Sequence, residues 1–163
     1  MEFWQTIVAT IVGGIITLVA TYLTSRGQRK LESSKKRLEK IEHAHTVATR
    51  IEHIYRTQWG ADLAYLAAGT NDNDRRPKER LPFDELAMLI SFYATALKPE
   101  VSKLISVCQG DYGKLLARID SRPSLPQLEL VELQDAVTET FNEIKNSVAR
   151  LQAGLAEIGR SQL

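Results

Sequence analysis

Residues 3–24, FWQTIVATIVGGIITLVATYLT, hold twenty-two residues and no formal charge, and they constrain the chain more than any other stretch. At about 1.5 Å rise per residue, such a segment is roughly 33 Å long as a helix, against a hydrocarbon core of about 30 Å. A single segment crosses a bilayer only as a helix, because every backbone amide must then be satisfied inside the segment. The stretch predicts one transmembrane helix. Phe3 and Trp4 at one end and Tyr22 at the other match the interfacial aromatic belts of a span. A secretory leader would need a positive start, a shorter apolar run and a small-residue cleavage site. Only Met1 and Glu2 precede the run and no A-x-A site follows it, so the segment is expected to stay in the mature protein.

Orientation follows from lysine and arginine close to the span. Residues 25–40 carry Arg26, Arg29, Lys30, Lys35, Lys36, Arg37 and Lys40 against Glu32 and Glu39. This predicts a short outside N-terminus and a cytoplasmic body at the inner (plasma) membrane. Arg26, Arg29, Lys30, Lys35, Lys36 and Arg37 are expected to contact anionic headgroups of the lipid bilayer.

Within the apolar segment, Thr6, Thr10, Gly13, Thr17, Ala20 and Thr24 recur at a 4-3-4-3-4 spacing, while the large residues fall elsewhere. Small faces mark helix interfaces in lipid, so this seam predicts a homo-oligomer. Two readings of it stay open, a packing seam and the hydroxyl lining of a pore.

The rest of the chain, out of 163 residues, suffices for one modest domain. Twenty-one Lys and Arg against twenty Asp and Glu give a net charge of +1, which argues against a double-stranded nucleic-acid binder. The single cysteine, Cys108, forms no internal disulfide and reads as a small buried residue in LISVCQ. Valine and isoleucine fall at helical spacing, so the predicted class is all-α. The expected organisation is a transmembrane helix over 1–24, a basic collar and helical rod over 25–69, and a helical bundle over 70–163 that packs with the rod.

Leu31, Leu38, Ile41, Ala44, Val47, Ala48, Ile51 and Ile54 continue an apolar stripe at helical spacing beyond the apolar segment. A rod from about residue 3 to about residue 57 is predicted, with an extension to Ala68 open and Gly69 as its stop. Glu42 and His45 form a Glu-x-x-His pair of the kind that di-iron bundles use, but a second pair is missing. No metal or other cofactor is expected, and His43, His45 and His53 read as exposed. Residues 70–82, TNDNDRRPKERLP, form a loop in which Arg75, Arg76, Lys78 and Arg80 are candidates to bind an anionic ligand or an acidic protein partner.

A second helix is predicted over 83–98, another from Pro99 to about Val107 with Gly110 ending the piece, and a short one over 111–119. SRPSLP at 121–126 is a rigid turn. The last helix, 127–158, carries Val137, Phe141, Ile144, Val148, Leu151, Leu155 and Ile158 as a heptad seam, and it needs a partner helix, either the rod folding back in the same chain or another subunit; its acidic surface suits the basic start of the rod. There is no glycine-rich phosphate loop, no nucleophile elbow, no HExxH and no His/Cys cluster, so an enzyme is not expected.

The layout of one N-terminal span, a basic collar and a helical body resembles the small single-pass bacterial membrane effectors of antiviral defence systems. That resemblance implies a cytoplasmic part that senses a signal and a membrane part that oligomerises and disrupts the bilayer. The layout is also similar to rotary-ATPase stalk subunits and to phage inner-membrane spanins. The loops within 70–126 argue against the first, and the basic collar argues against the second. The leading functional expectation is therefore a non-enzymatic oligomeric membrane effector. The alternative is a membrane-anchored scaffold or adaptor that recruits a partner through its helices.

Overall fold

The computed structural model describes residues 2–69, 80–122 and 125–161, with the backbone alone for residues 2–20. Every described element is helical: α1 (Glu2–Ala68), α2 (Phe83–Tyr93), a 3-10 turn (Thr95–Leu97), α3 (Lys98–Ile105), a π turn (Ser106–Asp111), α4 (Tyr112–Asp120) and α5 (Gln127–Arg160). The chain divides into two compact units, Met1–Glu39 and Lys40–Leu163.

The expected transmembrane helix requires a correction. Among the described residues, no helix is long and apolar enough to cross a membrane. The described side chains of α1 begin at Thr21, and within the next twenty positions the helix carries seven cations and two acids, a composition that hydrocarbon does not tolerate. The side chains of residues 3–20 lie outside those described. The fold is all-helical, with no span assigned.

In Met1–Glu39 the described side chains are solvated. Tyr22, Leu23 and Leu31 are 65%, 61% and 73% exposed, and only Ser25, Ser34 and Leu38 are half-buried. The apolar stripe expected from Leu31 onward becomes a buried face only from Ile41.

In Lys40–Leu163 the core follows from the two long helices. Ile41, Ala44, Ala48, Ile51, Tyr55 and Leu66 of α1 are buried, and so are Leu133, Val137, Phe141, Ile144, Val148, Leu151 and Leu155 of α5. Both sets repeat at threes and fours, which places them on one stripe of each helix. The helices run side by side in opposite directions: Trp59 stacks on Phe141 at 4.9 Å and 14°, while Gln152 donates to the Thr49 hydroxyl at 2.9 Å. Pairing between rod and last helix thus occurs within one chain, and it is mainly apolar.

The shorter helices close the core. Phe83, Leu86, Leu89 and Ile90 of α2 are buried, and its acidic first turn holds Asp84 and Glu85, which suit a helix N-terminus. It stops at Tyr93, earlier than the expected 98. Continuing would press the Pro99 ring against the carbonyl four residues back, so the chain breaks at Ala94 and Pro99 falls in the first turn of α3. The stop expected at Gly110 is not found. The helix widens into the π turn and continues into α4, consistent with a cost of only about 1 kcal/mol for a helical glycine.

α1 ends where Gly69 adopts φ +68°, its amide donating to the Tyr65 carbonyl at 2.9 Å. The Arg122 guanidinium covers this end, donating from Nε to the Leu66 carbonyl at 3.2 Å and lying 5.4 Å from the Tyr65 ring centre. Ion pairs line the α3–α5 edge, Arg150 with Glu100 at 3.4 Å and Lys103 with Glu143 at 3.8 Å.

Replacing Ile51, which is wholly buried, with alanine is expected to cost about 2–5 kcal/mol. The equivalent change at the exposed Leu31 is expected to stay within about 0.5 kcal/mol. Urea unfolding followed by circular dichroism checks both.

Candidate functional site

The 3-4 spacing on the buried face of α1 continues past Tyr55 onto polar residues, Gln58 and Asp62, which are 4% and 1% exposed. A buried carboxylate is costly unless it is hydrogen-bonded. Asp62 accepts from the Gln58 amide at 2.9 Å on one oxygen and from the Tyr112 hydroxyl at 2.8 Å on the other. Tyr112 is itself wholly buried and is the first residue after the π turn. The ring of Tyr55 meets that of Tyr112 edge-on at 5.3 Å and 83°, and its hydroxyl donates to the Cys108 carbonyl inside the π turn at 3.2 Å. Wide turns of this kind interrupt the α-helical hydrogen-bond ladder and often mark functional segments. The Gln58 Oε1 atom is the one buried side-chain polar atom among the described residues without a hydrogen-bond partner.

Burial keeps Tyr55, Cys108 and Tyr112 in their neutral forms. Burial, reinforced by the Asp62 carboxylate, pushes the Tyr112 hydroxyl far above the ordinary tyrosine range. Burial, with Cys108 alongside, does the same to Tyr55. Burial pushes the Cys108 thiol up to about 12, against a smaller opposing effect of the neighbouring Tyr55 hydroxyl. A thiol held that high has almost no thiolate near neutral pH and is a poor nucleophile. The cluster is suited to holding α1 against the α3–α4 run at one register, because a slip would leave Asp62 buried without its donors.

The residues singled out in the sequence are distributed differently. Side chains of Thr6, Thr10, Gly13, Thr17 and Ala20 lie outside the described residues, while Thr24 is exposed. In the loop, Arg75, Arg76 and Lys78 lie outside the described residues. Arg80 is exposed and pairs with Asp84 at 3.4 Å, four residues on at the start of α2. Arg26, Arg29, Lys30, Lys35, Lys36 and Arg37 are all exposed on α1. His43, His45 and His53 are exposed, and His43 Nε2 meets the Glu85 carboxylate at 2.8 Å, tying α1 to α2. Cys108 is 3% exposed, buried as expected.

Sequence reasoning missed the polar layer because the apolar stripe was followed only to Ile54. The signal was present: positions 44, 48, 51, 55, 58, 62 and 65 keep one spacing, and two polar residues on it are buried with the rest. Comparison with protein-family models, with curated proteins and with solved structures finds no match to this chain.

The raised thiol and hydroxyls set an alkaline limit on stability. The unfolded thiol loses its proton near 9.0, the folded one only near 12, so stability begins to fall as pH passes about 9. Tyr55 and Tyr112, raised from 10.0, add to the loss above about pH 10. Urea midpoints should be flat between about pH 7 and 8 and fall beyond 9, with Cys108→Ala removing the first part of the fall. Tyr112→Phe, which takes one donor from Asp62, is expected to cost about 1–3 kcal/mol at neutral pH.

Proposed function

We propose that this chain is a non-enzymatic helical scaffold or adaptor that recruits a partner through the outer faces of its bundle. The observation that carries the reading is the placement of large apolar side chains on helix surfaces. Met88 and Phe92 of α2 are 53% and 75% exposed, four residues apart on one face, while Phe83, Leu86, Leu89 and Ile90 of the same helix are buried. Apolar residues that the core does not use, paired at helical spacing, suit an amphipathic partner better than bulk water.

The chemistry supports the same reading. The thiol and hydroxyls of the polar layer, Cys108, Tyr55 and Tyr112, are buried and held neutral. A pore-forming role and the expected orientation both require a spanning helix, and neither is part of this proposal.

A photo-crosslinking phenylalanine placed at position 92 in the full chain, expressed in cells, is expected to give one discrete protein adduct. The same group at the exposed Ser102, on α3, is expected to give none. Phe92→Ser should leave the urea midpoint within about 0.5 kcal/mol of the parent, since a surface change away from the core costs little. A smear of adducts, or equal adducts from both positions, would count against recruitment through α2.

A further inference from the structure

Two helical stretches carry matched and opposite charge. Residues 25–40 of α1 hold seven cations and two acids, and residues 127–143 of α5 hold five acids and no cation. As helices they are about 24 and 25 Å long. Arg26, Arg29, Lys30, Lys35, Lys36 and Lys40 pair with no acid among the described residues, and Glu129, Glu132, Asp135 and Glu139 pair with no cation there.

Each stretch gathers its charge on one face. On α5, Leu128, Val131, Glu132, Asp135 and Glu139 lie opposite the buried Leu133, Val137, Phe141 and Ile144, and Leu128 and Val131 are 72% and 48% exposed. On α1, Tyr22, Arg26, Arg29, Lys36 and Lys40 share a face at the same threes and fours. One face is acidic with apolar residues at its end, and the other is basic with an exposed tyrosine at its end.

We infer that the acidic outer face of α5 is a docking surface for a second copy of this chain, whose basic stretch 25–40 is the occupant. Opposite charges at a shared helical spacing attract and align the two helices, and like charges repel any pairing of identical faces. The contact is head-to-tail, so each copy offers both an acidic and a basic face, and association continues from copy to copy unless a ring closes. This rests on the scaffold reading and names one partner in it.

The test uses the purified full chain in isotope-labelled and unlabelled forms, mixed and treated with a zero-length carbodiimide cross-linker. Cross-links between copies of different isotope are expected to join Lys30, Lys36 or Lys40 to Glu132, Asp135 or Glu139. A chain with Glu132→Lys, Asp135→Lys and Glu139→Lys should lose them at least tenfold by itself. So should a chain with Arg26→Glu, Arg29→Glu, Lys36→Glu and Lys40→Glu. Mixing these two chains should restore them, because each then meets a face of opposite charge. All the changed residues are exposed, and unchanged circular dichroism and urea midpoints confirm that both variants fold.

Cross-links confined to one isotope, or persisting in either variant alone, or failing to return on mixing, overturn the inference. It also falls if no cross-link forms and the α1 variant instead loses binding to phosphatidylserine vesicles, which would assign the basic stretch to headgroups. Loss of these cross-links with the adduct at position 92 intact removes this interface and leaves the scaffold reading standing.

Discussion

The apolar seam between the second half of α1 and the length of α5 is the contact on which the rest of Lys40–Leu163 depends. Neither helix can bury its stripe alone, and each offers only one. Set antiparallel, with Trp59 on Phe141 at one level and Thr49 on Gln152 at another, they leave a groove that α2, α3 and α4 fill. The short helices have too little apolar surface to be stable by themselves. Their buried residues, such as Leu86, Ile90, Leu104 and Ile119, join one continuous core with those of the long helices.

That dependence explains why irregular features gather along the α3–α4 run. The break at Ala94 brings Pro99 into a first turn, and the π turn lets the run continue over Gly110 instead of stopping there. Tyr112 emerges from the π turn directly onto Asp62. A polar contact of this kind adds little net stability where an apolar pair would serve, but it penalises misalignment strongly. The layer around Asp62 is suited to fixing the register of α1 against the α3–α4 run. The Arg122 guanidinium performs a similar local task, satisfying a carbonyl at the end of α1 and packing over Tyr65.

What the core does not use is left to the surface, and it is not left at random. Apolar side chains remain out on α2 and at the start of α5, acids line the outer face of α5, and cations crowd residues 25–40. The Cys108 thiol and the Tyr55 and Tyr112 hydroxyls are buried, while much of the charge and some large apolar side chains stand on helix faces.

By itself the sequence determined the helical class, the heptad seam of α5, an apolar stripe on α1 at helical spacing, the burial of Cys108 and the exposure of the three histidines, and it offered Gly69 as the stop of a rod whose expected end near residue 57 the structure carries on to Ala68. These follow from short-range periodicity and from the conformational freedom of glycine, which operate within a few turns of chain. The tertiary structure alone decided where the stripe of α1 becomes a core, that it extends through Gln58 and Asp62, and that Gly110 is spanned by a π turn. Those outcomes depend on groups about fifty residues apart meeting in space: the buried Asp62 accepts from the hydroxyl of Tyr112. The apolar stretch at 3–24 illustrates the other side of the same point. Its hydropathy alone predicted a span, yet no helix among the described residues is long and apolar enough to cross a membrane. Local pattern specifies which face of a helix avoids water, and only the partners that reach that face decide what covers it.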